Sequence, residues 1–303
     1  MRKCRFPPCN DTATFPPPQA GLWQNRAFPP DTMRIALLGG GTIARLVLEH
    51  LGRGDLPGTE ATGLAGRSAG SRGAELGRAH GVPYVIGCGE LLALRPQVIV
   101  EAASHDAVRS HLVEILEAGV SVIVLSAGAM ADDRLRGAAE AAARRNGVQL
   151  YVPSGGIGGL DALKAACAAG VDSVSIHVAK PPAAWRDIPY VEALGIDLDA
   201  LSRPRTLFKG TAREGVPHFP QNVNIAAVLS LAGIGFDRTQ LEVIADPALT
   251  RNTHTIRVSG KTGRFTVILE NVPSPDNPKT AWLACYSALV ALRSMASESR
   301  YGT

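Results

Sequence analysis

Short apolar runs alternate with helically spaced stretches through the first half of the chain. The first run is Ile35-Ala36-Leu37-Leu38, and Leu46, Val47 and Leu51 then recur on one helical face. Residues 61–65 read as a second strand, and residues 71–80 as a helix ending before Gly81. An apolar strand follows Pro96 at 98–102. Ser104 can cap the next helix, which runs to Ala118 and stops at Gly119. A strand at 120–125, a helix at 131–145 ending at Asn146-Gly147 and a strand at 150–152 complete the series. Strands this uniformly apolar need cover on both faces, so the pattern predicts a doubly wound parallel sheet.

The period changes after Gly155. A helix over 160–168 stops at Gly170, and strand-like runs follow at 174–178, 207–209, 241–245, 254–258 and 265–269. Several alternate, as in Thr255-Ile256-Arg257-Val258-Ser259, which suits a mixed or antiparallel sheet with one wet face. The last helix, 281–296, places Leu283, Ala284, Ser287, Ala288, Ala291, Leu292 and Met295 on one face that can dock back on the first half.

Composition narrows the class. The 303 residues suffice for two domains, and 46% of them are apolar. The net charge of +4 is dispersed, with no dense basic tract to suggest a nucleic-acid groove. No apolar run approaches the ~18 residues of a membrane span. Cys4, Cys9, Cys88, Cys167 and Cys285 are odd in number and lack paired spacing, so reduced thiols and a cytoplasmic location are expected. Residues 1–32 are Pro-rich and aperiodic and read as a flexible extension; Met33 directly precedes the first strand. No His, Cys, Asp or Glu cluster has metal-ligand spacing, so no metal is expected.

The chemistry begins where the first strand ends. Gly39, Gly41 and Ala44 fall on the spacing G-x-G-x-x-A between a strand and a helix, the context of a dinucleotide fingerprint. Gly39 permits the turn, Gly41 lets backbone approach a pyrophosphate, and Thr42 and Ile43 open the helix whose N-terminus favours anions. An NAD site carries an acid about 20 residues past the glycines. Here the second strand ends in Gly66-Arg67-Ser68, with Arg72 shortly after. Arg67 and Ser68 could hold a 2′-phosphate, so the cofactor is NADP or NAD, with NADP accepted at least as well; an exposed loop arginine is the plainer alternative. Ligands of open sheets lie beyond strand C-termini, so Ala103 in Ala102-Ala103-Ser104 and Ser126 and Ala127 in Ser126-Ala127-Gly128-Ala129 can wall a nicotinamide channel.

Four further segments carry a family resemblance. They are the run Pro153 to Asp161 (PSGGIGGLD), the run Phe219 to Ala227 (FPQNVNIAA), Ala245-Asp246-Pro247 with Asn252-Thr253-His254, and the run Asn271 to Thr280 (NVPSPDNPKT). In their order, the chain resembles the L-aspartate dehydrogenases over residues 33–297. The resemblance implies a Rossmann domain at 33–153, completed by a C-terminal helix at 278–303, and a second α/β domain at 154–277 for catalysis and dimerisation. It implies a homodimer that oxidises L-aspartate through iminoaspartate to oxaloacetate and ammonia with NAD or NADP, and a product that can feed NAD synthesis.

Carried onto this chain, the resemblance makes His254 the catalytic histidine and Asn224 a ligand of the nicotinamide end. Gly156 stands where relatives often carry Ala beside the cofactor. Imidazole titrates near working pH, which suits a group that activates water and then protonates leaving nitrogen. His218 is a rival, read as a loop residue. Asn224 could equally open a helix, with Asn222 as the cap. A substrate with two carboxylates needs cations or N–H donors. Lys279, with Thr280 beside it, is the first candidate, although it could instead serve the start of the final helix; Lys180 ranks below it. The alternatives are a related NAD(P)-dependent reductase of another amino or keto acid, as in the dihydrodipicolinate or homoserine pathways, or a catalytically silent NADP-binding protein.

Overall fold

The computed structural model describes residues 32–220, 222–274, 277–297 and 299, with the side chains of 277–279 excepted. The extension expected at 1–32, with Cys4 and Cys9, lies outside the described residues but for residue 32.

Six parallel strands form the first sheet: β1 (Met33–Leu38), β2 (Thr59–Gly66), β3 (Tyr84–Ile86), β4 (Val98–Glu101), β5 (Ser121–Val124) and β6 (Leu150–Tyr151). Their order is β3-β2-β1-β4-β5-β6, the doubly wound arrangement, with its switch point between β1 and β4. The connecting helices are α1 (Thr42–Gly52), α2 (Arg72–His80), α3 (Cys88–Ala93), α4 (His105–Glu117) and α5 (Asp133–Asn146). Alternate residues of β1 serve opposite cores. Ile35 and Leu37 pack with α1, whereas Ala36 and Leu38 pack with residues of α3, α4 and α5. The expected strands are present. The short β3 and α3 were not anticipated, because three and six residues are too few to show a period. The helix expected over 131–145 is the continuous α5 at 133–146. A 3₁₀ turn at Ala127–Ala131 ends at Asp132, whose carboxylate then caps α5 by accepting from the backbone of Arg134 and Leu135.

The second sheet has the order β11-β10-β7-β9-β8, built from β7 (Val171–Lys180), β8 (Arg205–Thr211), β9 (Thr239–Ala245), β10 (Asn252–Gly260) and β11 (Gly263–Asn271). It is mixed, since β7 and β9 run parallel while β8 and β11 are antiparallel to their neighbours. Alternation along β10 buries Ile256 and Val258 and leaves Arg257 exposed, as expected of a one-sided sheet. The buried face packs against α6 (Leu160–Ala169) and α9 (Asn224–Ala232), with two short helices, α7 (Pro189–Ala193) and α8 (Ala212–Gly215), between them in sequence. A small hairpin of β12 (Pro273–Ser274) and β13 (Asn277–Ala281) leads into α10 (Trp282–Ala296). Cys285, Leu289 and Leu292 of α10 join the α1 core, and Arg293 donates to the Asp55 carbonyl at 2.9 Å. The chain thus returns to the first sheet. Cys88, Cys167 and Cys285 are thiols rather than disulfides. No helix among the described residues is long and apolar enough to cross a membrane.

Candidate active site

A cavity of about 640 Å³ runs from the C-terminal ends of β1, β4 and β5 to the end of β7 and the start of β10. At its first end the backbone does most of the building. Gly39 has φ of +110°, and a Cβ there would stand 2.6 Å from the Ala102 carbonyl oxygen. A Cβ on Gly40 would stand 2.3 Å from Gly73 Cα. These two glycines seat the loop against β4 and α2. Gly41 differs, because a Cβ there would meet nothing within 4 Å. It is the N-cap of α1 and has no side-chain cap, so the first-turn N–H groups remain available. Gly41, Thr42 and Ile43 line the cavity, an uncapped helix start that fits a pyrophosphate. Gly39 shapes this turn without lining the cavity. Arg67 and Ser68 lie exposed at the tip of β2 and outside the cavity lining.

The middle wall depends on a residue that the sequence reading passed over. Glu101 ends β4 and is buried. Its carboxylate accepts from the backbone N–H groups of Ala103 (2.8 Å), Ser104 (3.1 Å) and Ser126 (2.9 Å), and from Ser126 Oγ (2.8 Å). It therefore ties the loop after β4 to the loop after β5. Burial raises its pKa, and the four hydrogen bonds oppose the rise. Ala103 and Ser126 line the cavity; Ala127 instead packs in the core of the second sheet.

Asn224 is the first residue of α9, and its Oδ1 accepts from Gly128 N at 2.9 Å. His105 Nε2 lies 2.7 Å from the same oxygen, so that ring nitrogen carries the proton. Burial lowers the His105 pKa, which agrees with a neutral ring. Asn224 lines the cavity as expected. Asn222, the alternative cap, does not cap α9. Val223 precedes the helix, and Asn222 Oδ1 accepts from Lys180 Nζ at 2.9 Å instead.

The far end is made by side chains. His254 is buried in β10, with Nδ1 at 3.1 Å from the Gly156 carbonyl oxygen. Asn271 Nδ2 donates to that same oxygen at 2.8 Å and lies 3.1 Å from Nδ1. Burial first, and then the nearby Lys180 charge, push the His254 pKa down to about 4, so the ring is neutral near pH 7. With Nδ1–H given to Gly156, the Nε2 lone pair remains. That atom is buried in the cavity wall and has no hydrogen-bond partner among the described residues. A Cβ at Gly156 would approach Ala281 Cβ to 3.2 Å and His254 Cε1 to 3.7 Å, so a side chain fits there only tightly.

Lys180 ends β7. It is 3% exposed, with Nζ 5.2 Å from the centre of the Trp185 ring. Burial drops its pKa to about 7. This residue, ranked second from sequence, lines the cavity with half-buried Thr280. The Lys279 side chain lies outside the described residues. His218 is exposed and stacks on Tyr190. One grouping of potential metal ligands does not show in sequence spacing. Cys88 of α3 and His111 and Glu114 of α4, away from the cavity, bring one potential ligand atom each to within 4.8 Å of one another. Spacing in sequence could not show it, because two helices contribute.

Known proteins agree with this architecture. The profile for the aspartate dehydrogenase C-terminal domain matches residues 161–295, and that for the homoserine dehydrogenase NAD-binding domain matches 39–153. L-aspartate dehydrogenase of Methanosarcina mazei is 48% identical over 206 residues, 68% of this chain and 76% of the relative. L-aspartate dehydrogenase 2 of Bordetella pertussis is 43% identical over 263 residues, 86% and 96%. The crystal structure of aspartate dehydrogenase from Thermotoga maritima superposes with a TM-score of 0.69 at 27% identity, covering 89% of this chain and 99% of that one. The glycine loop, the mixed sheet and these matches together place the chain in the L-aspartate dehydrogenase family of NAD(P)-dependent oxidoreductases.

Proposed function

We infer that the protein oxidises L-aspartate to iminoaspartate and then hydrolyses the imine to oxaloacetate and ammonia. The observation that carries this reading is the His254 imidazole, neutral, fixed through Nδ1 and presenting an unpartnered Nε2 to the cavity. A bound NAD or NADP would supply the hydride acceptor for the substrate Cα, and the amino nitrogen would give up a proton to solvent as the imine forms. His254 Nε2 then takes a proton from the water that adds to the imine carbon, and returns it to the departing nitrogen. Asn224 and Ser126 would hold the nicotinamide end, and the first turn of α1 would hold the pyrophosphate. Arg67 and Ser68, beyond the tip of β2, would meet a 2′-phosphate and admit NADP alongside NAD.

In this reading residues 33–153 with the C-terminal helix bind the cofactor, and residues 154–277 carry the chemistry and the contact of a homodimer. The partner is a small amino acid, with neither nucleic acid nor membrane involved, in the cytoplasm, and the imine can supply NAD synthesis. The test is reduction of NAD and of NADP, followed by absorbance, against a panel of amino acids. Turnover with aspartate alone supports the reading; turnover only with another acid, or none, overturns it.

A further inference from the structure

The inner face of the second sheet is apolar except at one end. Along β7, Val174, Ile176 and Val178 face inward, and along β10 so do Ile256 and Val258. The terminal row is polar. Thr253 pairs with Ala179, which sets Asn252 beside Lys180, and Asn252 pairs directly with Asn271. Lys180, Asn252 and Asn271 are 3%, 1% and 6% exposed, so three polar side chains are buried in one row across three strands. His254 follows Asn252 on the same face, two residues along the strand.

Two members of the row have partners within the protein. Asn271 donates to Gly156, and Lys180 donates to Asn222. Asn252 has none among the described residues: neither Nδ2 nor Oδ1 makes a hydrogen bond, though both are buried and the residue lines the cavity. Buried carboxamides are rarely left with both ends unsatisfied. An amide asks for a ligand that offers an acceptor and a donor side by side, and the neighbouring ammonium asks for the acceptor to be anionic. An amino acid carries that pair, a carboxylate next to an amino group.

Resting on the reading of function above, we propose that Lys180 and Asn252 form the substrate subsite of the cavity. The Lys180 ammonium and Asn252 Nδ2 receive one carboxylate of a dicarboxylic amino acid, while Asn252 Oδ1 accepts an N–H of its amino group. The substrate nitrogen is thereby held on the strand that also carries His254. Burial pulls Lys180 down to about 7, and a carboxylate beside it favours its charged form again.

Succinate, which has two carboxylates and no reactive amino group, is the probe. It is titrated calorimetrically into the full chain with saturating reduced cofactor, for wild type, Lys180→Met and Asn252→Leu. Both variants should bind succinate about tenfold more weakly or worse, the scale of one lost charged hydrogen bond. Both should raise the aspartate KM while cofactor affinity holds. Asn252→Leu should keep or raise the melting temperature, because it removes two unsatisfied polar atoms; a structural asparagine would lower it. Equal succinate binding by all three proteins overturns the subsite, as does its absence from wild type. If wild type binds succinate, the variants do not, and aspartate is not turned over, the proposed reaction falls and the subsite stands.

Discussion

The two ends of the cavity are built by different means. At the glycine loop, backbone atoms face the cavity and their placement depends on three consecutive residues, Gly39, Gly40 and Gly41. At the far end, side chains from β7, β10 and β11 meet because strands pair in one register. The first kind of site is local in sequence, although Gly39 and Gly40 must fit closely against Ala102 and Gly73. The second is assembled over more than ninety residues, from Lys180 to Asn271, and each member is a buried polar group that must be satisfied.

Substitutions at the loop can break the comparison most visibly. Gly40→Ala forces a Cβ onto the backbone of α2 and should cost about 1–3 kcal/mol or more of stability, as overpacking does. Gly41→Ala, one residue on, should leave the melting temperature unchanged and weaken cofactor binding. Equal effects of the two in thermal melts and cofactor titrations would erase the distinction between packing glycine and ligand glycine.

Glu101 joins the loops after β4 and β5. Glu101→Gln replaces one acceptor oxygen by a donor facing N–H groups and should cost about 1–3 kcal/mol, read as a lowered denaturation midpoint. A variant as stable as wild type would show that the four hydrogen bonds do not hold the wall.

The far end should show itself in the pH dependence of stability. Lys180 has its pKa lowered from 10.5 to about 7 in the folded protein. Between those values the unfolded chain binds the extra proton, so stability rises as pH increases from 7 towards 10.5. Lys180→Met should remove that rise in denaturant titrations across this range. A rise of the same slope in the variant would assign it to other groups.

The smallest effect belongs to Arg67, which is exposed. Arg67→Ala should raise the KM for NADP several-fold, on the order of 1 kcal/mol, and spare NAD. Equal changes for both cofactors would remove Arg67 from 2′-phosphate recognition.

The same contrast explains what could be read beforehand. Apolar runs and glycine spacing are one-dimensional signals, so the parallel sheet apart from β3, its longer helices and the start of α1 were legible. Asn252, Asn271 and Lys180 carry no periodic signal, because their meeting depends on register between strands. Lys180 sits before two prolines, and only the paired strands reveal that it is buried. Asn222 was open to reading as a cap because Asn often is one; its oxygen instead accepts from Lys180. Glu101 did leave a trace, as an acid closing an otherwise apolar strand. His105 left none, since its partner Asn224 is 119 positions away.

In the proposed reaction the chemistry belongs to the His254 end of the cavity and the cofactor to the other. Cofactor titration and steady-state turnover of aspartate in His254→Asn test it directly. The kcat should fall by about 10²–10⁴, the range of general acid–base catalysis, with cofactor affinity unchanged. A variant that turns over aspartate at the wild-type rate, or that loses activity only by losing the cofactor, would contradict it.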